Sequence, residues 1–141
     1  MPNLLSSEDR AFQSVFESGQ FPIQDFNHRA HLRLAYVYLT EQVTEAAYMS
    51  MRDAIHDFLK CNGIDLTKYH DTITRAWILA VRHFMDKSSH SDSANSFIDQ
   101  HPEMLDSKIM MSHYSAEVLF SDKARAEFVE PDLDPIPRYG E

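Results

Sequence analysis

Two groups of histidines lie at the starts of predicted helices, where their side chains can meet a common ligand. His28 and His31 are three residues apart, so on an α-helix they lie about 60° apart and both imidazoles can reach one metal ion. His70 opens the most apolar helix of the chain and is followed at once by Asp71. We therefore predict that His28, His31 and His70 bind a divalent metal ion, zinc or iron, with an open position for a reactive water.

The position of these histidines also favours the protonation state that a metal ion requires. The N-terminus of a helix carries a partial positive charge, which disfavours a protonated imidazole, and neutral imidazole is the metal-binding form. Asp71 is the catalytic candidate, as a general base, a fourth ligand or an acceptor for an imidazole N–H. Because adjacent residues on a helix point about 100° apart, His70 and Asp71 can share an ion only if the first turn opens or the ion lies at the helix end. The plainer role for Asp71 is stabilisation of the helix dipole in the first turn.

Further residues near the two histidine groups are candidates for contact with a substrate or the metal ion. Arg29 and Arg75 lie close to the two helix starts and suit an anionic substrate, and Trp77 follows on the later helix. His83 and His113 are possible inward-facing histidines, and His113 is a distant candidate for a fourth ligand. In the plainer interpretation the histidines are hydrogen-bonded core residues and the arginines are exposed.

Helical periodicity runs through the chain and predicts an all-α fold. Four longer helices are expected, the fourth at the centre: one capped by Ser6 with Asp9, one over about 27–41, one from a Thr44 cap to Asn62-Gly63, and one from Asp65 or Thr67 to Lys87. Shorter helices follow a polar loop at 88–95. The expected architecture is an irregular bundle of four longer helices with short C-terminal helices packed across one end.

The chain length and the C-terminal prolines define the expected domain organisation. A chain of 141 residues with 43% hydrophobic residues suits one domain, which we place at 1–129. Residues 130–137 contain three prolines, so we expect 130–141 to form an extended tail on the surface.

Charge and cysteine content exclude several functional classes. The net charge is −9, with 13 basic and 22 acidic residues, which disfavours nucleic acid and anionic membranes as partners. The single cysteine excludes an internal disulfide and indicates a reducing compartment. No apolar run approaches the roughly 20 residues of a membrane-spanning helix. We expect a cytoplasmic protein.

Four strings, which together span nearly the whole chain, have a recognisable pattern: FNHRAHLRLA at 26–35, YHDTIT at 69–74, YSxExL at 114–119 and ARxxFVxPD at 124–132. Through these strings the chain resembles a family of small bacterial helical proteins known as hypothetical proteins. In that family we expect Glu where this chain has Asp71. The resemblance adds weight to His28, His31 and His70 as one set and implies no substrate.

A more distant likeness is to the HD-domain phosphohydrolases, in which a His, a later His-Asp pair and a final Asp bind divalent metal. His31 and the His70-Asp71 pair would take those roles here, together with a downstream aspartate.

These observations predict a small metal-binding protein, an enzyme acting on an unidentified small molecule. The alternative is a non-catalytic helical module that binds another protein through its acidic face or its Pro-rich tail. In that case the histidines are hydrogen-bonded core groups.

Overall fold

The computed structural model describes residues 3–88 and 90–136, and in these ranges the chain is all-α, which confirms the predicted fold class. The α-helices are α1 (Ser7–Glu17), α2 (His28–Glu41), α3 (Thr44–Cys61), α4 (Asp71–Lys87), α5 (Ala94–Gln100), α6 (Ala116–Leu119) and α7 (Asp122–Ala126). Short 3₁₀ turns lie at Ile23–Asp25, Leu66–Lys68, Pro102–Leu105 and Ser107–Ser112. No helix in the described ranges is both long and apolar enough to cross a lipid bilayer.

The first two helices begin at side chains that satisfy free backbone N–H groups. Ser6 and Asp9 form the predicted capping box at the start of α1. Asn27 accepts from the backbone N–H of Ala30 at the start of α2. The predicted Thr44 cap is wrong: Val43 is the residue before α3, and Thr44 is its buried first residue. Gly63, with φ of 67°, follows the end of α3 as predicted.

The fourth helix begins later than the sequence pattern predicts. Asp65 caps only the 3₁₀ turn Leu66–Lys68, by accepting from the backbone N–H of Thr67. After two extended residues, the imidazole of His70 accepts from the backbone N–H of Ile73 and so caps α4. A histidine therefore takes the position that Asp, Asn, Ser or Thr usually occupies.

The centre of the fold is formed by α2, α3 and α4, which pack against one another. The stretch 34–39 of α2 is buried on every side, with no residue more than 5% exposed, because α1, α3, α4 and α5 all contact this helix. We predicted α4 at the centre, but α2 shares that position. The short helix α7 packs on α4, which brings the C-terminal part of the chain to the start of α4.

The described part of the tail lies against the 3₁₀ turn Ser107–Ser112. The backbone N–H of Leu133 donates to the carbonyl of His113, and that of Asp134 donates to the carbonyl of Ser112. Ile136 is buried. Residues 130–136 form no helix, and the rest of the predicted tail, 137–141, lies outside the described residues.

Candidate functional site

A cavity of about 460 Å³ opens beside the start of α2, and we call it the histidine pocket. His28 and His31 line it from α2, and Trp77 lines it from α4. Its other walls are mostly apolar: Phe26, Ile73, Met110, Met111, Leu119 and Phe120. The structure therefore brings together three of the residues predicted from the sequence.

His31 is a histidine of this pocket whose imidazole forms no hydrogen bond within the described residues. Its Nδ1 atom is buried without a hydrogen-bond partner, and the described residues provide none for Nε2 either. Burial, together with the nearby His28, lowers the pKa of His31 to about 4. His31 is therefore a neutral imidazole at pH 7, with one nitrogen that donates and one that accepts.

His28 is held in place by the backbone and by an aromatic contact. Its Nε2 donates to the carbonyl of Met104 over 2.8 Å. The ring meets that of Trp77 edge to face, with 4.7 Å between ring centroids. Because Nε2 carries the proton of this hydrogen bond, the lone pair of a neutral His28 lies on Nδ1.

His70 is separated from the other two histidines by its own hydrogen bonds. Its Nδ1 accepts from the backbone N–H of Ile73 over 3.1 Å, and its Nε2 donates to the carbonyl of Leu119 over 2.6 Å. Both ring nitrogens are thus used within the protein. Burial also lowers the pKa of His70. The ring ties the start of α4 to the end of α6.

In this structure the three histidines predicted to bind one metal ion do not share one set of contacts. Within residues 3–88 and 90–136, no three His, Cys, Asp or Glu side chains come close enough together to hold a metal ion. In this arrangement His70 has no free lone pair, because each of its nitrogens is engaged. The residues that could still hold a metal ion are His28, through Nδ1, and His31.

Asp71 points away from the histidine pocket. The hydroxyl of Tyr48 donates to its two carboxyl oxygens over 2.6 and 2.8 Å, and the hydroxyl of Tyr69 donates to Oδ1 over 2.8 Å. Burial and the hydrogen bond to Asp71 raise the pKa of Tyr48 to about 12. Asp71 therefore contacts two tyrosines and not the imidazole beside it in the chain.

Asp71 lines a second cavity, of about 640 Å³, which we call the carboxylate pocket. Tyr69 and Asp71 belong to its buried part, and its walls come from α3, the 3₁₀ turn Leu66–Lys68 and α7. The ring of His56 meets that of Tyr69 edge to face, with centroids 4.4 Å apart. The polar side chains around it are Arg52, Asp53, His56, Thr67, Asp122 and Arg125.

Neither arginine predicted to bind substrate reaches the histidine pocket. Arg29 points to α5 and forms an ion pair with Asp99 over 3.1 Å. Arg75 pairs with Glu45 over 2.7 Å, and its guanidinium lies 4.8 Å from the centroid of the Tyr48 ring. Both arginines already have partners within the protein.

His83 and His113 line a third cavity, of about 280 Å³, beneath the described part of the tail. Trp77 and Met110 border this cavity and the histidine pocket alike. His113 also contacts the tail through Nδ1 and the carbonyl of Asp134, 2.7 Å apart. These two histidines thus lie across Trp77 from the histidine pocket.

Two residues that matter for these sites, Tyr48 and Arg125, were not predicted as site residues from the sequence. Tyr48 lies on the apolar face of α3, and a hydroxyl on a buried face needs a hydrogen-bond partner; that need was the available signal. Arg125 lies on a short helix, and no sequence pattern connects it to Asp71.

Comparisons of the chain with protein-family models, curated proteins and solved structures found no match. The resemblances to the hypothetical bacterial family and to the HD-domain phosphohydrolases stay predictions.

Proposed function

We propose that the protein binds a small apolar molecule carrying a hydroxyl group, and that the histidine pocket is its binding site. The observation that carries this proposal is His31: a neutral imidazole without a hydrogen-bond partner, in a pocket with mostly apolar walls. Ligand sites typically combine such walls with a few polar groups that orient the ligand.

A hydroxyl group complements His31 better than a charged group does. The nitrogen of a neutral imidazole that faces a ligand is either a donor or an acceptor, depending on the tautomer, and a hydroxyl can pair with either form because it both donates and accepts. The apolar walls would cover the rest of the molecule, with the side chains of Trp77, Met110 and Met111 against it. The volume of about 460 Å³ lies within the range of small-molecule sites.

The methionine methyl groups can test this proposal. In a protein labelled at the methionine methyls, titration with phenol should shift the NMR signals of Met110 and Met111, which line the pocket. Met49 and Met51 on α3 do not line it and serve as internal controls. Toluene, which lacks the hydroxyl, should bind roughly two- to tenfold more weakly, as expected for one lost hydrogen bond.

His31→Leu should abolish the preference for phenol over toluene, because the polar partner is gone. The matched control is His56→Leu, in the carboxylate pocket, which should retain the preference. The proposal fails if phenol leaves Met110 and Met111 unshifted, or if His31→Leu keeps the preference.

A second candidate function is the binding of a divalent metal ion, zinc or iron, by His28 and His31. The hydrogen bond from His28 to the carbonyl of Met104 favours it, because metal-bound histidines usually donate their other N–H to such an acceptor. Water or a bound molecule would complete the coordination, since two imidazoles are fewer than the usual three or four protein ligands.

Thermal unfolding of untagged protein with added zinc tests this second candidate. Binding to the folded state should raise the melting temperature, by about 8 °C at a free zinc concentration 100 times Kd. His31→Leu should remove the rise, whereas His70→Asn should keep it, because His70 uses both nitrogens elsewhere. No rise in the wild type, or an equal rise in His31→Leu, contradicts a two-histidine site.

If phenol and zinc both fail to bind, the interpretation of the chain as a non-catalytic interaction module gains weight. The histidines would then be structural residues, in the way that His70 is through its two hydrogen bonds to the backbone.

A further inference from the structure

The carboxylate pocket contains a buried acid without a basic partner. Asp71 is 7% exposed, and its hydrogen bonds come from the neutral hydroxyls of Tyr48 and Tyr69. Among the described residues no Lys, Arg or His nitrogen forms an ion pair with it. Buried carboxylates are usually paired with a cation, so this side chain can still accept a positively charged group.

The same pocket contains an arginine without an acidic partner. Seven arginines lie in the described ranges, and six of them form ion pairs there: Arg10, Arg29, Arg33, Arg52, Arg75 and Arg82. Arg125 is the exception among these seven. Acidic residues outnumber basic ones by 22 to 13, so a shortage of acids does not explain it.

Asp71 and Arg125 line one cavity without pairing with each other. Two tyrosines hold the carboxyl group at the start of α4, while Arg125 belongs to α7. Two opposite charges that line one open cavity of about 640 Å³ and form no ion pair with each other complement a molecule that carries both charges itself.

We propose that the carboxylate pocket binds a zwitterionic small molecule of the amino-acid type. Its ammonium group would bond to Asp71, and its carboxylate would accept the paired N–H groups of Arg125. The ring of His56 and the side chain of Leu66 offer surface to the rest of the molecule. This site is independent of the histidine pocket.

Calorimetric titration with the standard amino acids tests the proposal on the full chain. At least one should bind, and its N-acetyl derivative, which lacks the ammonium group, should bind at least tenfold more weakly, roughly the loss expected for a charge-assisted hydrogen bond. The amide derivative, which lacks the carboxylate, should lose a similar factor.

Two variants assign the two ends of the molecule. Arg125→Gln should weaken binding of the amino acid by roughly tenfold or more, the loss expected for a charge-assisted hydrogen bond. The matched control is Lys123→Gln, which removes a neighbouring basic residue of α7 outside the pocket and should leave the affinity unchanged. In Arg125→Gln, the amide derivative should bind as well as the parent amino acid. Asp71→Asn should remove the preference for the free over the acetylated amino group.

The proposal is overturned if no amino acid binds, or if Arg125→Gln leaves the affinity of a binding amino acid unchanged. Equal affinity for the free and the N-acetylated amino acid also overturns it, and so does binding of inorganic phosphate when no amino acid binds. In either case the pocket would select an anion only. Arg125 is exposed, so its variant should fold, and the test does not depend on Asp71→Asn.

Discussion

The two pockets differ in how their polar groups are satisfied, although both adjoin the start of α4. In the histidine pocket, His31 has no hydrogen-bond partner, and the walls are mostly apolar. In the carboxylate pocket, Asp71 has two tyrosine donors, and charged side chains surround the opening. The first therefore suits a neutral ligand, and the second suits a charged one.

His70 and Asp71 explain why two neighbouring residues serve different pockets. The ring of His70 bonds to the carbonyl of Leu119 at the end of α6, whereas the carboxyl group of Asp71 meets Tyr48 on α3. His70 is the extended residue that caps α4, whereas Asp71 is the first residue of the helix, so the two side chains leave the backbone in different directions. A His-Asp pair in sequence is thus no evidence that both side chains share one site.

The largest expected effect tests whether His70 is a structural residue. His70→Ala should lower the free energy of unfolding by about 3 kcal/mol, because α4 loses its cap and the carbonyl of Leu119 loses its donor. His70→Asn keeps a capping side chain and should cost about 1 kcal/mol less. Urea unfolding with a chelator present measures both. Equal stability of wild type and His70→Ala would contradict this role.

The next largest effect concerns the histidine pocket at acid pH. The folded state lowers the pKa of His31 from 6.5 to about 4, so the unfolded chain takes up this proton more readily. Above pH 6.5 His31 is neutral in both states and the folded protein keeps its full stability. As the pH falls from 6.5 toward 4, the free energy of unfolding decreases, because protonation of His31 favours the unfolded chain.

His31→Gln removes this titration. Between pH 6.5 and pH 4 the wild type should therefore lose about 2–3 kcal/mol more than the variant does, measured by urea unfolding in chelator. His56→Gln, in the other pocket, should keep the wild-type loss. Parallel pH profiles for wild type and His31→Gln would show that His31 is not held neutral by the fold.

A smaller effect tests the contact between Tyr48 and Asp71 in the carboxylate pocket. Asp71→Asn should cost about 1–2 kcal/mol of stability. It should also lower the pKa of Tyr48 from about 12 by part of its shift, because burial, the larger cause, remains while the negative neighbour that disfavours phenolate is removed. Ultraviolet titration follows the phenolate.

Tyr48→Phe should remove the titration step of the Tyr48 phenolate, which assigns that step to this residue. If the step stays near its wild-type pH in Asp71→Asn, the carboxyl group does not control this hydroxyl.

The smallest effect is expected at Arg29, which contacts neither pocket. Arg29→Gln breaks an exposed ion pair with Asp99, and such pairs contribute about 0–1 kcal/mol. Phenol binding at the histidine pocket should stay unchanged in calorimetry. A large loss of phenol affinity would mean that Arg29 acts on the pocket, as first expected from the sequence.

Local sequence patterns were sufficient for the fold class and for most helix bounds. The capping box of Ser6 and Asp9 and the glycine after α3 depend on nearby residues alone, and both are confirmed. The predicted start of α4 was wrong for a local reason. Asp65 is a residue type that commonly caps helices, but here it begins only a 3₁₀ turn, and the residue that caps α4 is His70, an unusual type at that position.

The site was predictable only in part, because its decisive contacts come from distant segments. Helical spacing placed His28 and His31 together, and both line one pocket with Trp77. His70 is kept out of the histidine pocket by a hydrogen bond to a carbonyl 49 residues away in the chain. Asp71 is kept out of it by a hydrogen bond from Tyr48, which is 23 residues away. Spacing within a helix carries no information about such partners.

The most direct test of the proposed site is a crystal of the protein grown with para-bromophenol, in which the anomalous signal of bromine locates the ligand. We predict a bromine peak inside the histidine pocket, between Trp77 and Met110, with the phenol hydroxyl within hydrogen-bonding distance of His31. A peak elsewhere in an otherwise well-ordered crystal, with this pocket unchanged, would contradict the proposed function.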